Sequence, residues 1–435
     1  MSCLLLVVGV RNDILNRNRA TRAVRCAVKL VQFRVPSAGR RATVVKVLKW
    51  TSVAVLVLAA LPYAWGPIYT FPQPAAFAGA HFFNPYADLR GTWQRANLHA
   101  HGRAWSGITN GQQPDEEVVA HYQQLGYTVA GISDYERIAT LHGVPTIPIY
   151  EHGYNIGKHH QLAIGAHRVE WFDFLLLQSL SHEQYIIDRV GKDSDLVAIA
   201  HPSLRGAYSR DDMEKLTGYQ LMEVVNGPDE QDSLWDAALS SGHIVWGLAN
   251  DDTHDVNDPR RTAVAWNMID SPTADTSDVV DALRNGRTYA VAKKKSAADA
   301  RDTRVRAVGV DAGRLVVTCY GAPATFVFIG QNGNVRRTVK DSLMAEYTFS
   351  NDDTYIRTVI HTPGTTVFLN PVLRYDGARL PQPVSTVEAG ATWLLRGVSL
   401  LCGAGAIAAI ARRRRAAMPP PVSAHAFPAP KRRTA

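Results

Sequence analysis

Two histidines stand one residue apart in NLHAHGRAWSGITNG, at His99 and His101. In an extended segment Leu98 and Ala100 face one way and the two histidines the other. Two imidazoles on one face suit a divalent metal ion, although hydrogen-bonded histidines give the same pattern. Repetition separates the two explanations. Residues able to ligate a metal close a series of apolar runs: Asp134, Glu151, His159 or His160, His201 in AHPS, and Asp252 with His254 in NDDTH. Imidazoles mixed with hard carboxylates suit Zn, Mn or Fe. More than four such groups imply at least two divalent ions with a carboxylate between them.

These residues need a scaffold that gathers strand ends. YTVAGISD (Tyr127–Asp134), LVAIAHPS (Leu196–Ser203), YQLMEVVNG (Tyr219–Gly227) and HIVWGLANDD (His243–Asp252) read as buried strands. DEEVVAHYQQLG and SHEQYIIDRVG read as helices among them. Strand–helix alternation over 88–295 predicts a parallel α/β architecture of barrel form, with ligands at the carboxyl ends of the strands. After the AKKKSAADARD linker (Ala292–Asp302) the pattern changes. RVRAVGV, RLVVTCYG, TFVFIG, AEYTFS, YIRTVIHT and TVFLN, separated by Gly, Asn and Asp turns, predict a small all-β sandwich over 303–386.

The net charge of +8 is uneven: residues 1–49 hold +10 and residues 412–435 hold +7, leaving about −9 for 50–411. An acidic body without a basic stripe argues against a nucleic-acid partner. The basic tails flank two apolar stretches, 50–69 (WTSVAVLVLAALPYAWGPIY) and 391–411 (ATWLLRGVSLLCGAGAIAAIA). Each is long enough to cross a lipid bilayer. Trp50, Tyr63, Trp65 and Tyr69 suit interfacial belts, and Arg396 sits where a long side chain can snorkel. AFAGA (Ala76–Ala80) leaves open a cleaved signal peptide instead of a retained first span. Positive charge inside makes 1–49 and 412–435 cytoplasmic tails, the latter disordered, and puts 70–390 on the outer side of a cell membrane. Cys3 and Cys26 lie in the first tail and Cys402 in the second span, so Cys319 has no partner in the outer part. Nothing in the sequence sets an oligomeric state.

In this order the motifs resemble those of the PHP (polymerase and histidinol phosphatase) metal-dependent phosphoesterases. The resemblance runs from about Arg95 to Tyr289 through ANLHAH, GISDY, YEHG…HHQLAIGA, VAIAHPS, MEVVNG, NDDTHD and ALRNGRTYAV. It implies a distorted (β/α)7 TIM-like barrel with two or three metals at the strand ends. His99, His101 and Asp252 resemble the ligands of a first ion, Glu151 the bridging carboxylate, and His160 and His201 the ligands of a second. The His-x-Leu spacing favours His160 over His159, and His254 resembles a third-site ligand. Two positions depart from the family pattern. The usual Thr-Asp-His is Ser133-Asp134-Tyr135, and GRAWSGITNG after the paired histidines contains neither acid nor histidine. Both losses fall on a third ion, so two divalent ions are expected, with Asp134 either a ligand or an orienter of a histidine. The implied reaction is hydrolysis of a phosphoester by a hydroxide bridging two metals. His254, Asp252, Tyr135 and Arg205 form the expected catalytic set: His254, protonated, or a metal would stabilise the leaving oxygen, Tyr135 would face substrate, and Arg205 with Arg103 would hold phosphate oxygens. The alternatives are a membrane-tethered metal-binding module that no longer catalyses, and a hydrolase of a non-phosphate bond.

Overall fold

The computed structural model describes residues 38–141, 146–294, 304–380 and 382–416. Most of the first basic tail, most of the expected linker and the second tail from 417 lie outside the described residues. The sheets and the candidate site belong to the compact unit Leu56–Ala435, and the segment up to Val55 forms a unit of its own. The fold is mixed α/β.

One sheet runs, in spatial order, Trp246–Asn250, Leu221–Asn226, Ser194–Ile199, Gln161–Ala166 and Ile149–His152. Every residue of Leu221–Asn226, Trp246–Asn250 and Gln161–Ala166 is buried. Cover on both faces is why these strands read as unbroken apolar runs instead of alternating ones. Leu221–Asn226 is parallel to Trp246–Asn250 and to Ser194–Ile199, while the short strand Asp229–Glu230 folds back antiparallel on its end. Gln161–Ala166, however, is antiparallel to both of its neighbours. The expected all-parallel order fails there because residues 153–160 are too few to carry a crossover helix. Helix Leu180–Val190 buries Ile186, Ile187 and Val190, the spacing of one helical face, as cover for this region.

A larger sheet centres on Thr288–Lys293, which pairs antiparallel with Ala265–Asp270 and with Thr365–Leu369. It continues through Trp93–Asn97 to Val129–Ala130 on one side. On the other it continues through Tyr355–His361 and Ala324–Gly330 to Asn334–Ser342. The C-terminal strands are therefore joined to the α/β part by a ladder from Tyr289↔Leu369 to Lys293↔Thr365. This pairing crosses the expected boundary at 295–303. Thr365–Leu369 is buried throughout and needs neighbours at both edges, which a free-standing sandwich of the later strands would not supply. Arg304–Asp311, Arg314–Tyr320 and Met344–Thr348 form a separate three-stranded sheet.

Asparagine side chains knit the two larger sheets where main-chain pairing stops. Asn250 Oδ1 accepts the Leu98 N–H at 2.8 Å, and Asn267 Oδ1 accepts the Ala249 N–H at 2.9 Å. Asn97 Oδ1 accepts the Asp251 N–H at 2.9 Å. These bonds fix the chain ends that carry His99 and Asp252.

Two helices are long and apolar enough to cross a membrane: 23 residues from Thr43 to Trp65 with mean hydropathy 2.0, and 28 from Ala389 to Ala416 with mean hydropathy 1.9. The first stops at Trp65, short of the expected residue 69, because Gly66-Pro67 follows and Tyr69–Thr70 is taken up in pairing with Thr386–Val387.

Candidate metal centre

The donor residues sit at or beside strand ends. His99 and His101 follow Trp93–Asn97, His201 follows Ser194–Ile199, and Asp252 follows Trp246–Asn250. Glu151 lies within Ile149–His152, and His160 immediately precedes Gln161–Ala166. His201 and Asp252 adopt positive φ of 28° and 48°. Such conformations cost side-chain-bearing residues about 1–3 kcal/mol and persist where the surroundings impose them. Here the Asp252 N–H is tied to the His99 carbonyl at 2.9 Å, and the His201 N–H to Glu223 Oε2 at 2.8 Å.

Glu151 is the centre of the arrangement. Its Oε2 lies 3.3 Å from His99 Nε2 and 3.1 Å from His101 Nε2. Both nitrogens also face Asp252 Oδ1, at 3.2 and 3.3 Å. Its Oε1 lies 2.5 Å from His160 Nδ1 and 2.9 Å from His201 Nε2. Two donor groups result, His99–His101–Glu151–Asp252 and Glu151–His160–His201, sharing one carboxylate. In the first, His99 Nε2, His101 Nε2, Glu151 Oε2 and Asp252 Oδ1 are all buried without a hydrogen-bond partner among the described residues. Four orphaned polar atoms facing one another are costly unless a cation sits between them. Donors about 2.0–2.1 Å from a tetrahedral ion would stand about 3.3–3.4 Å apart, close to these separations. The residues fit a divalent ion.

Electrostatics agree with the geometry. Against the effect of burial, Asp252, Glu223 and Glu151 push His99 well above its ordinary pKa, and Asp252 with Glu151 pushes His101 up to about 9. Burial is likewise overcome at Glu151, held far below the usual carboxylate range chiefly by His160 and His99, and at Asp252, lowered by His99 and His101. The carboxylates thus draw protons onto His99 and His101 where no other cation is bound, and a metal would displace those protons, whereas burial outweighs Glu151 at His160 and lowers it.

Around the donors, roles divide. Glu223, fully buried, accepts from His99 Nδ1 at 2.9 Å, the Asn250 amide at 2.8 Å and the Asn226 amide at 2.9 Å. It fixes the His99 ring so that Nε2 points to the centre. Sequence reasoning missed it; the one available signal was an acid inside the apolar run LMEVV. Asp134 stands outside both donor groups: its Oδ1 accepts the Gly102 N–H at 2.8 Å and its Oδ2 is held by Arg137. With both oxygens spent, it anchors the loop after His101. His159 turns away to Glu183, 3.3 Å from Nε2, and its ring packs on Tyr208. Of the two adjacent histidines, His160 is the one facing Glu151.

Tyr135 and His254 flank the centre, their rings stacked against His101 at 4.7 and 4.3 Å. The neighbouring Glu151 keeps the Tyr135 phenol protonated. Burial, then His101, lowers His254 to about 4, so its ring is neutral near pH 7. Its Nε2 is buried without a partner among the described residues. Arg205 is exposed on a one-turn segment after His201, and Arg103 bonds the Gln112 carbonyl. Lys158, which sequence reasoning passed over, places Nζ 6.0 Å from the Tyr135 ring centroid.

No known family model matches the chain, and no curated protein matches it. Among solved structures it is similar to a two-domain protein from Bacteroides vulgatus containing a predicted PHP-like metal-dependent phosphoesterase. The TM-score is 0.36 and the identity 10%, over 73% of this chain and 99% of that one.

Proposed function

We propose that the chain is a metal-dependent phosphoester hydrolase held at a membrane by two helices. Its catalytic region, 88–295, would have the distorted barrel form of the PHP family, its asparagine-knitted sheets serving as the barrel wall. The observation that carries the reading is Glu151, whose two oxygens serve two donor groups. Two ions, zinc, manganese or iron, would share it; when bound they supply an acidified water and positive charge for a phosphoryl oxygen. The protein does the remainder. His99, His101, Glu151, His160 and His201 are buried, whereas Asp252, Tyr135 and His254 are partly exposed, so substrate enters past those three. Tyr135, protonated, donates a hydrogen bond to a phosphoryl or leaving oxygen, and Lys158 beside it supplies a cation. Arg412–Arg415, in the last turns of the second helix, favour an arrangement with both tails inside and residues 70–390 outside.

The test is elemental analysis of the purified full-length chain alongside a panel of phosphomonoesters, phosphodiesters and amides. The expected result is about two divalent ions per chain and phosphoester hydrolysis that disappears in His99→Ala. Bound metal without hydrolysis of any member would mean a binding module. Cleavage of amides alone would mean a different hydrolase.

A further inference from the structure

The surface between the apolar helices and the metal centre bears on the substrate. Tyr63, in the last turn of the first apolar helix, packs edge-on to Phe174 with centroids 5.1 Å apart and accepts the Leu176 N–H at 2.7 Å. The second apolar helix begins beside it. Arg396 lies over the Trp65 and Trp393 rings at 5.1 and 4.9 Å and donates to the Trp65 carbonyl at 3.0 Å. With Tyr69–Thr70 paired to Thr386–Val387, both helices leave the folded part at one place. Tyr, Trp and Arg there mark the level of a headgroup layer.

Leu175, Leu176 and Leu177 stand at that same level, and all are exposed, Leu177 by 74%. Three consecutive exposed leucines are a poor surface for water and a good one for acyl chains. The apolar surface then continues toward the metal centre. Trp171, 58% exposed, meets Trp105 with ring centroids 5.8 Å apart. Trp105 Nε1–H donates to the Tyr135 carbonyl at 2.8 Å, and Tyr135 stacks on His101. Ile108, 88% exposed, ends the same turn. Trp105 and Ser106 hold φ of 52° and 57°, a conformation that bulky residues adopt only where surroundings impose it.

We infer that the substrate is a membrane-borne phosphoester with a long apolar chain, its tail lying along Trp171 and Trp105 while its phosphate reaches the metal centre. This rests on the phosphoesterase reading. Water adds to phosphorus, the ester P–O bond breaks, and the lipid alcohol leaves with the proton, so phosphate departs into solvent and the apolar product stays in the bilayer.

The test uses the full-length, metal-loaded chain in phosphatidylcholine vesicles doped with a phosphatidic acid whose acyl chain carries a diazirine. Photolysis should attach lipid to the peptide spanning Trp171–Leu177; attachment confined to the two helices would overturn the inference. In the same vesicles, hydrolysis of long-chain phosphatidic acid is compared with that of soluble p-nitrophenyl phosphate. Leu175→Asp with Leu177→Asp should lower the first rate about tenfold or more and leave the second unchanged, because exposed leucines leave the core intact. Equal loss on both substrates, or no loss on either, would overturn it. Cleavage of p-nitrophenyl phosphate by the wild type without cleavage of phosphatidic acid defeats the inference alone. Cleavage of neither defeats the phosphoesterase reading and the inference with it.

Discussion

Glu151 and Asp236 are both buried carboxylates beside buried basic side chains, yet their surroundings are opposite in kind. Asp236, on helix Asp232–Ser240, takes Arg357 Nε at 2.7 Å on one oxygen and Nη2 at 2.6 Å on the other. Its Oδ1 also accepts the Tyr355 hydroxyl at 2.9 Å, and the Trp235 ring lies 5.2 Å from the guanidinium. Both oxygens of Asp236 are satisfied there, although Arg357 Nη1 is buried without a partner among the described residues, and the cluster ties that helix to strand Tyr355–His361. Around Glu151, by contrast, four polar atoms of the first donor group face one another, each without a hydrogen-bond partner among the described residues. Burial alone therefore does not mark a site. What distinguishes one is a set of unsatisfied atoms converging on a point that a cation can fill.

Glu151→Gln gives the largest effect expected from this contrast. The amide is nearly isosteric but neutral and offers one good oxygen, so both donor groups lose the negative charge that offsets repulsion between two dications. Activity should fall on the order of a thousandfold or more, and metal content should drop at both positions together. His201→Ala removes one donor from one group and should cost less. Wild-type metal content and activity in Glu151→Gln would show that the shared carboxylate is not the centre.

Asp236→Ala tests the opposite member. It leaves Arg357 buried with Asp232 as its remaining acid, and breaking such a pair costs about 3–5 kcal/mol. The thermal midpoint should fall clearly while metal bound per folded chain stays constant. A loss of metal from the folded fraction would mean that the two clusters are coupled.

Glu223→Gln sits between these extremes. The carboxylate that orients His99 is removed but the donors remain, and such changes cost about 10–100-fold in metal affinity or activity. Titration with zinc or manganese reads the shift. An unchanged affinity would mean that the asparagine amides position His99 without it.

What the sequence revealed follows the same division. HAH, AHPS and NDD were legible because each places ligand-type residues beside a short apolar run, and a chain prints such ends locally. Glu223 was not, since an acid in the middle of LMEVV acquires meaning only once His99, Asn226 and Asn250 are brought to it. The strands of the C-terminal part were visible one by one, but the pairing of Thr365–Leu369 with Thr288–Lys293 depends on register between distant segments. Strand Asn334–Ser342 escaped notice because it is exposed along nearly its whole length and shows no apolar alternation. Asp134 was legible as an acid at a strand end, whereas its capture by Arg137 was not.

The smallest effect concerns Glu183 and His159, a pair that is neither closed nor convergent. Glu183 Oε1 lies 3.3 Å from His159 Nε2, while Glu183 Oε2 and His159 Nδ1 are buried without partners among the described residues. Unsatisfied atoms that do not converge give a metal no seat, so the pair should relieve burial by losing charge. Burial raises Glu183 to about 8 and lowers His159. An unfolded glutamate titrates near its ordinary value, so from about pH 4.5 to 8 the unfolded chain releases the Glu183 proton and the folded chain keeps it. Folded Glu183 then binds more protons than unfolded Glu183, and its contribution to stability falls as pH rises through that window. Glu183→Gln, neutral at every pH, removes that slope. Its stability should match the wild type near pH 4.5 and exceed it near pH 8 by a few kcal/mol, read as a higher thermal midpoint. Metal content should not change, because His159 belongs to neither donor group. A parallel pair of stability curves, or a loss of metal on this substitution, would show that Glu183 is ionised in the fold and that His159 belongs to the centre after all.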